Sequence, residues 1–223
     1  MPAGRGFRAF DRTALAALLI SAAVFGLLLA AVEAGWGGRG SVDARVDSAA
    51  HRFVLSHPAV LDAARTLTRL GAPTVVTVVT LVAAAVLVVL GRCRTALFVG
   101  AVRIATQLAD SAVKDLVARP RPKFAHPVDH ASGWSFPSGH AAGAASVYLP
   151  LAVVACALWA ARSVRVVAWS LAVPACLAVA SSRVLLGVHH PSDVIAGLAL
   201  GVALTAAATP LLGGGLQVCA QRR

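Results

Sequence analysis

Apolar residues run almost unbroken through six stretches of the chain, approximately Thr13 to Val32, Thr74 to Leu90, Thr95 to Val117, Ala141 to Ala160, Val164 to Leu185 and Val194 to Leu212. Each is close to the ~20 residues that a helix needs to cross a hydrocarbon core. Lipid gives the backbone no hydrogen-bond partner, so a spanning segment must satisfy its own amides and carbonyls as a helix. The pattern predicts an all-α, polytopic membrane bundle of six transmembrane helices, forming one domain over residues 1–223. Spans two and three are divided only by Gly91-Arg92-Cys93-Arg94, a tight helical hairpin. Gly, Ala and Val dominate the spans, which lets helices approach closely.

The segment between spans one and two has a different rhythm. Val42, Val46, Ala49 and Phe53 recur at helical spacing, and after Pro58 so do Val60, Ala64 and Leu67. Ser41 is placed to cap the first piece, and Pro58 interrupts the two. The expectation is two short amphipathic helices lying at the membrane interface.

Composition agrees with lipid as the solvent. Hydrophobic residues make up 58% and charged residues 13%, with a mean hydropathy of +0.79; a soluble domain carries roughly 25% charged residues. The net charge of +11 would suggest nucleic acid in a soluble protein, but no nucleic-acid-binding motif accompanies it. The basic residues fall in short loops, where membrane topology and anionic head groups account for them. Cys93, Cys156, Cys176 and Cys219 are widely spaced and form neither a disulfide framework nor a zinc knuckle.

Arg5, Arg8, Arg12, Arg92, Arg94, Arg162, Arg165, Arg222 and Arg223 lie on one side of the spans with Asp11 as the single acid. On the other side Arg39, Arg45, Arg52, Arg65 and Arg69 are mixed with Glu33, Asp43, Asp47 and Asp62. The positive-inside rule therefore puts both termini in the cytoplasm and the loops at 34–73, 118–140 and 186–193 outside. The first span also has the basic start of a signal peptide and a cleavage-like Val32-Glu33-Ala34, but its apolar stretch exceeds the usual ~7–15 residues.

The second and third outer loops hold most of the remaining unusual residues. Lys114 is followed after six residues by Arg121-Pro122; Pro137-Ser138-Gly139-His140 opens span four; Ser182-Arg183 is followed by His189 and then Asp193. A phosphate monoester carries close to two negative charges, and Lys114, Arg121 and Arg183 supply fixed cations for it, Arg as a planar fork and Lys as a point charge. Ser138 is a candidate N-cap, so the first amides of span four, at Gly139 and His140, form an anion site. Pro191 suits the first turn of span six, which places Asp193 where it can reach back to His189.

Taken together these segments resemble the type 2 phosphatidic acid phosphatase family, whose signature is K-x6-RP, PSGH and SR-x5-H-x3-D. Every position is filled here with the spacing intact. The resemblance implies a membrane lipid phosphatase, with the core of the site in residues 95–212. It implies His189 as the nucleophile that forms a phosphohistidine, Asp193 as its partner and His140 as general acid and then base. It further implies Lys114, Arg121, Ser138, Gly139 and Arg183 as the phosphate-binding residues, with no metal or other cofactor expected. The small size and the stretch His57 to Ala63 look like bacterial members acting on polyprenyl diphosphates, with phosphatidylglycerophosphate and phosphatidic acid in the same class. The alternatives are a lipid phosphotransferase using the same histidine and, from another class, a non-enzymatic transporter.

Other polar residues have blander readings. His190 competes with His189 but would put both spacings off by one. His51 and His57 belong to the amphipathic segments, and His126, Asp129 and His130 to a solvated loop. Arg119 and Lys123 flank Arg121 as snorkelling or lipid-attracted cations. Arg103, Gln107, Asp110 and Lys114 share one face of span three, where Asp110 can pair with Lys114 one turn away.

Overall fold

The computed structural model describes residues 4–35, 38 and 40–213. Arg39, Cys219, Arg222 and Arg223 lie outside the described residues, as do the side chains of Arg5 and Arg8. The described chain is helical, with α1 (Gly4–Glu33), α2 (Val42–Ser56), α3 (Pro58–Leu67), a 3-10 turn (Thr68–Gly71) and α4 (Pro73–Val89). There follow α5 (Cys93–Val117), α6 (Gly139–Leu158), α7 (Arg162–Leu185), α8 (Pro191–Ala208) and the short α9 (Pro210–Gly213). Among the described residues there is no strand, and the all-α membrane bundle expected from the apolar pattern is the fold.

Five of the expected spans are single helices long and apolar enough to cross a bilayer. The remaining one, expected at Thr74 to Leu90, is α4, which has 17 residues and passes only together with the segment Pro58–Gly71 across a bend of 44°. Pro73 at the first turn of α4 accounts for the break, because proline cannot continue the preceding helical turn. The hairpin between α4 and α5 closes on Gly91 at φ +72°, with the amides of Gly91 and Arg92 bonded back to Val88 and Leu87. A left-handed glycine after a helix is the conformation that such a closure favours.

α6 is the hub, in contact with α4, α5, α7 and α8. Its first two turns, Ala141, Ala142, Gly143, Ala144, Ala145 and Ser146, are all buried. Small side chains there let neighbouring backbones come close, which is where packing energy between membrane helices arises. α8 docks against this surface through glycines: a Cβ on Gly197 would lie 2.5 Å from the Ser138 carbonyl oxygen, and one on Gly201 2.5 Å from the Ala145 Cβ. The outward faces stay apolar, with Leu81, Val82, Leu97, Ile104, Leu108 and Leu171 exposed.

The short helices form as expected. Ser41 caps α2, its hydroxyl accepting the Ala44 amide at 3.1 Å, and Pro58 starts α3. Their placement adds something the pattern did not give. On α2 the apolar stripe Val42, Val46 and Phe53 is exposed, while Asp43, Asp47 and His51 are buried. The helix lies with its polar face against the protein and its apolar face outward, as an interfacial helix in contact with lipid should.

Gly201→Ala and Gly197→Ala are each expected to destabilise the fold by about 1–3 kcal/mol through overpacking. Gly26, with open space around it, provides the control: Gly26→Ala should leave thermal melting in detergent unchanged while the α8 variants melt earlier.

Candidate active site

The loops at 34–73, 118–140 and 186–193 lie at one end of the bundle, and the motif residues meet there. Lys114 closes the last turn of α5 and donates to Asp110 at 2.6 Å and to the Pro137 carbonyl at 2.5 Å. The Lys114–Asp110 pair read from one-turn spacing is therefore formed. Gly139 packs closely beside it: a Cβ there would sit 3.1 Å from an Asp110 carboxylate oxygen and 3.5 Å from Lys114 Nζ, so a larger residue would press on this pair. Ser138 occupies the N-cap position of α6, but its hydroxyl caps no amide. It is buried without a hydrogen-bond partner among the described residues. The expectation of a capping side chain is thus corrected: the first amides of α6 carry no side-chain acceptor, and a helix leaves them without a helical one.

Arg121 is held in its extended loop by backbone carbonyls. It donates to Ser132, Gly133, Trp134 and Val188 at 2.7 to 3.1 Å. Its Nη1 also lies 3.0 Å from His189 Nε2. A guanidinium can only donate, so Nε2 is the bare nitrogen and the ring proton is on Nδ1. This assignment comes from the hydrogen-bond network. Nδ1 faces Asp193 Oδ2 and the Ser135 hydroxyl, each at 3.5 Å.

Asp193 sits at the third position of α8 and is fully buried. One of its oxygens accepts the His190 amide at 2.9 Å and the Ser135 hydroxyl. The other accepts Arg119, which also donates to Asp43 at 2.8 Å. Arg119 is only 6% exposed, so the snorkelling reading is wrong: it is an internal bridge from α2 to α8. Asp43 in turn accepts the Ser192 amide at 3.0 Å. His190 points away from the cluster and meets Asp47 at 2.5 Å. Burial raises the Asp47 carboxyl above its ordinary range, and the bond to His190 opposes that rise.

Arg183 is buried at the end of α7, with one donor on the Thr68 hydroxyl at 2.9 Å and its Nε without a partner among the described residues. Lys114, Arg121, Gly139, His140, Arg183 and His189 line one cavity of about 570 Å³. Asp129 and His130 line it too, the first half-buried and the second exposed, so this part of the solvated loop also borders the cavity. His126 and Lys123 are exposed and off this cavity. Among the described residues no group of three or more His, Cys, Asp or Glu has metal-holding geometry.

Asp43, Asp47, Ser135 and Thr68 were not singled out by sequence reasoning. Asp43, Asp47 and His51 did carry a signal: they repeat every four residues on the face of α2 opposite its apolar stripe. Ser135 and Thr68 carried none.

Burial pushes the His189 imidazole down from 6.5 to about 4; Asp193 opposes this, and Arg121 and Arg183 add to it. The ring is therefore neutral near pH 7, with a lone pair on Nε2.

A family model described as the PAP2 superfamily matches residues 95–213. Phosphatidylglycerophosphatase B of Bacillus subtilis (strain 168) is 40% identical over 100 residues, 44% of this chain and 48% of that protein. The decaprenylphosphoryl-5-phosphoribose phosphatase of Mycobacterium tuberculosis (strain ATCC 25618 / H37Rv) is 40% identical over 115 residues, 49% of this chain and 56% of that protein. The chain thus spans about half the length of the curated relatives it matches. A crystal structure of a transmembrane PAP2-type phosphatidylglycerolphosphate phosphatase from Bacillus subtilis superposes with a TM-score of 0.73 and 27% identity, covering 86% of this chain and 96% of that one.

Removing the Arg119 bridge leaves buried carboxylates uncompensated, so Arg119→Ala should cost about 3–5 kcal/mol in stability, read as a large fall in melting temperature in detergent. The His189 shift has its own signature. The unfolded chain binds a proton at this ring near 6.5 and the folded chain only near 4, so stability present above 6.5 is lost as pH falls through that interval. The melting temperature should therefore drop more on acidification from pH 7 to about 4.5 in the wild type than in His189→Gln.

Proposed function

Because the chain belongs to the PAP2 superfamily, we propose that it is a membrane lipid phosphatase that releases phosphate from a lipid head group through a phosphohistidine, without a metal. One observation carries this: His189, whose unprotonated Nε2 accepts from Arg121, lines a cavity together with Lys114, Arg121, Arg183 and the start of α6. That is a nucleophile beside an anion site. The relatives named for phosphatidylglycerophosphate and for decaprenylphosphoryl-5-phosphoribose support a lipid phosphate as the substrate.

In this reading the phosphoryl group sits among the three cations and the α6 amides, which stabilise charge as it develops on the oxygens. Arg121 turns from Nε2 to the phosphate oxygens as they arrive. Nε2 attacks phosphorus and the bond to the lipid oxygen breaks. His140 enters as the imidazolium, its charge offset by the bound phosphate dianion, and gives that proton to the leaving oxygen. Asp193 holds Nδ1–H and stabilises the positive charge that forms on the ring. A water then gives its proton to His140 as its oxygen attacks the phosphohistidine, which releases inorganic phosphate and restores both histidines. The lipid tail stays in the bilayer throughout, with the site at the outer face and both termini in the cytoplasm.

His189→Ala should lose activity on phosphatidic acid or phosphatidylglycerophosphate to the assay floor. His140→Ala should lose about 10²–10⁴-fold and accumulate an acid-labile phosphoryl adduct on His189. Activity should survive strong chelator. Undiminished turnover by His189→Ala in purified protein would refute the nucleophile assignment.

A further inference from the structure

One charged group in the cavity wall is unused by the proposed reaction. Arg103 lies inside the α5 span, eleven residues before Lys114, or about 16 Å along the helix. It is 8% exposed, yet it lines the same cavity as His189. Its Nη2 donates to the Gln107 side-chain oxygen at 3.0 Å, and Gln107 donates to the Ser111 hydroxyl at 3.3 Å. All three line the cavity, so a ladder of polar groups climbs α5 from Arg103 toward Lys114.

A guanidinium in the plane of the membrane is expensive and is retained where it has an anion or a pathway to serve. Among the described residues Arg103 has no ion-pair partner: Asp110, one of the cavity carboxylates, is taken by Lys114. Its Nε is buried with no hydrogen-bond partner among those residues. Three cations already surround the phosphoryl position, so this fourth one is in excess of what a single phosphomonoester needs.

Resting on the phosphatase reading above, we propose that Arg103, Gln107 and Ser111 form a second anion-binding station on the tail side of the cavity. The substrate is then a lipid that carries a second phosphate on the tail side of the one that reacts. Direction supports this order. The tail must lie toward the hydrocarbon, and Arg103 is deeper along α5 than Lys114, so its anion falls between tail and reacting phosphate. Held by Gln107, the guanidinium lies near the level of residue 107, and Lys114 Nζ, held by Asp110, near the level of residue 110, roughly 5 Å apart along the helix, so one anion can meet each.

The test compares kcat/KM for phosphatidylglycerophosphate, phosphatidic acid and undecaprenyl diphosphate in detergent micelles, in the wild type, Arg103→Gln and Arg103→Lys. Loss of a charge-assisted contact should lower the phosphatidylglycerophosphate to phosphatidic acid ratio about tenfold or more in Arg103→Gln, mainly through KM. Arg103→Lys should recover much of it. Should Arg103→Gln not fold, Gln107→Leu, which frees the guanidinium from its holder, should shift the ratio the same way by less. Parallel loss on both lipids or an unmoved ratio overturns the proposal; a shift for undecaprenyl diphosphate as well supports the station and assigns it to bridged as well as to separated phosphates. Binding of the same lipids to His189→Ala, with and without Arg103→Gln, separates the two readings. If the wild type hydrolyses none of them but binding still discriminates through Arg103, the station stands and the hydrolase reading fails. If binding does not discriminate either, the station falls as well.

Discussion

A single buried carboxylate organises this molecule. Asp193 has no exposure and accepts hydrogen bonds from Arg119, Ser135 and the His190 amide, while it faces the ring of His189. Those contacts tie the start of α8 to the end of the α5–α6 connection and, through Arg119, to α2. A charge so placed is tolerable only with its partners assembled. The arrangement couples correct folding of this end of the bundle to correct orientation of one imidazole, because the same oxygens serve both.

The bundle beneath supplies rigidity at low steric cost. α6 meets its neighbours through alanine, glycine and serine, and α8 approaches through Gly197 and Gly201. That close approach fixes the start of α6 against the start of α8, and the Ser138 amide bonds to the Asp193 carbonyl at 2.9 Å. The start of α6 borders the cavity, where its dipole favours negative charge beside Lys114, Arg121 and Arg183, while the amides at the start of α8 are taken by Asp193 and Asp43.

Much of this was legible in the sequence, and the exceptions have physical reasons. Long apolar runs mark spans because lipid tolerates little else, and three motifs in register located Lys114, Arg121, His140, Arg183, His189 and Asp193 before any coordinates. The Thr74 to Leu90 span was readable as apolar but not as one arm of a bent pair, since the bend depends on how the segment from Pro58 to Gly71 packs. Arg119 was misread because a basic residue beside a membrane usually snorkels; its partner Asp43 lies far away in sequence, where no local pattern points to it. α2 was recognised as amphipathic, but its orientation was not. In water an apolar stripe turns toward the core, whereas at a bilayer surface it turns outward and leaves the carboxylates to face the protein.

The reversed orientation of α2 bears on how the chain can be divided. The stretch from Lys114 to Asp193 contains every signature residue, yet Asp43 and Asp47 on α2 and Thr68 beyond it supply partners to Arg119, His190 and Arg183. A fragment trimmed to the signature would keep the signature residues and strand their counter-charges. The N-terminal third is thus a structural component of the cavity end of the bundle rather than a separable one.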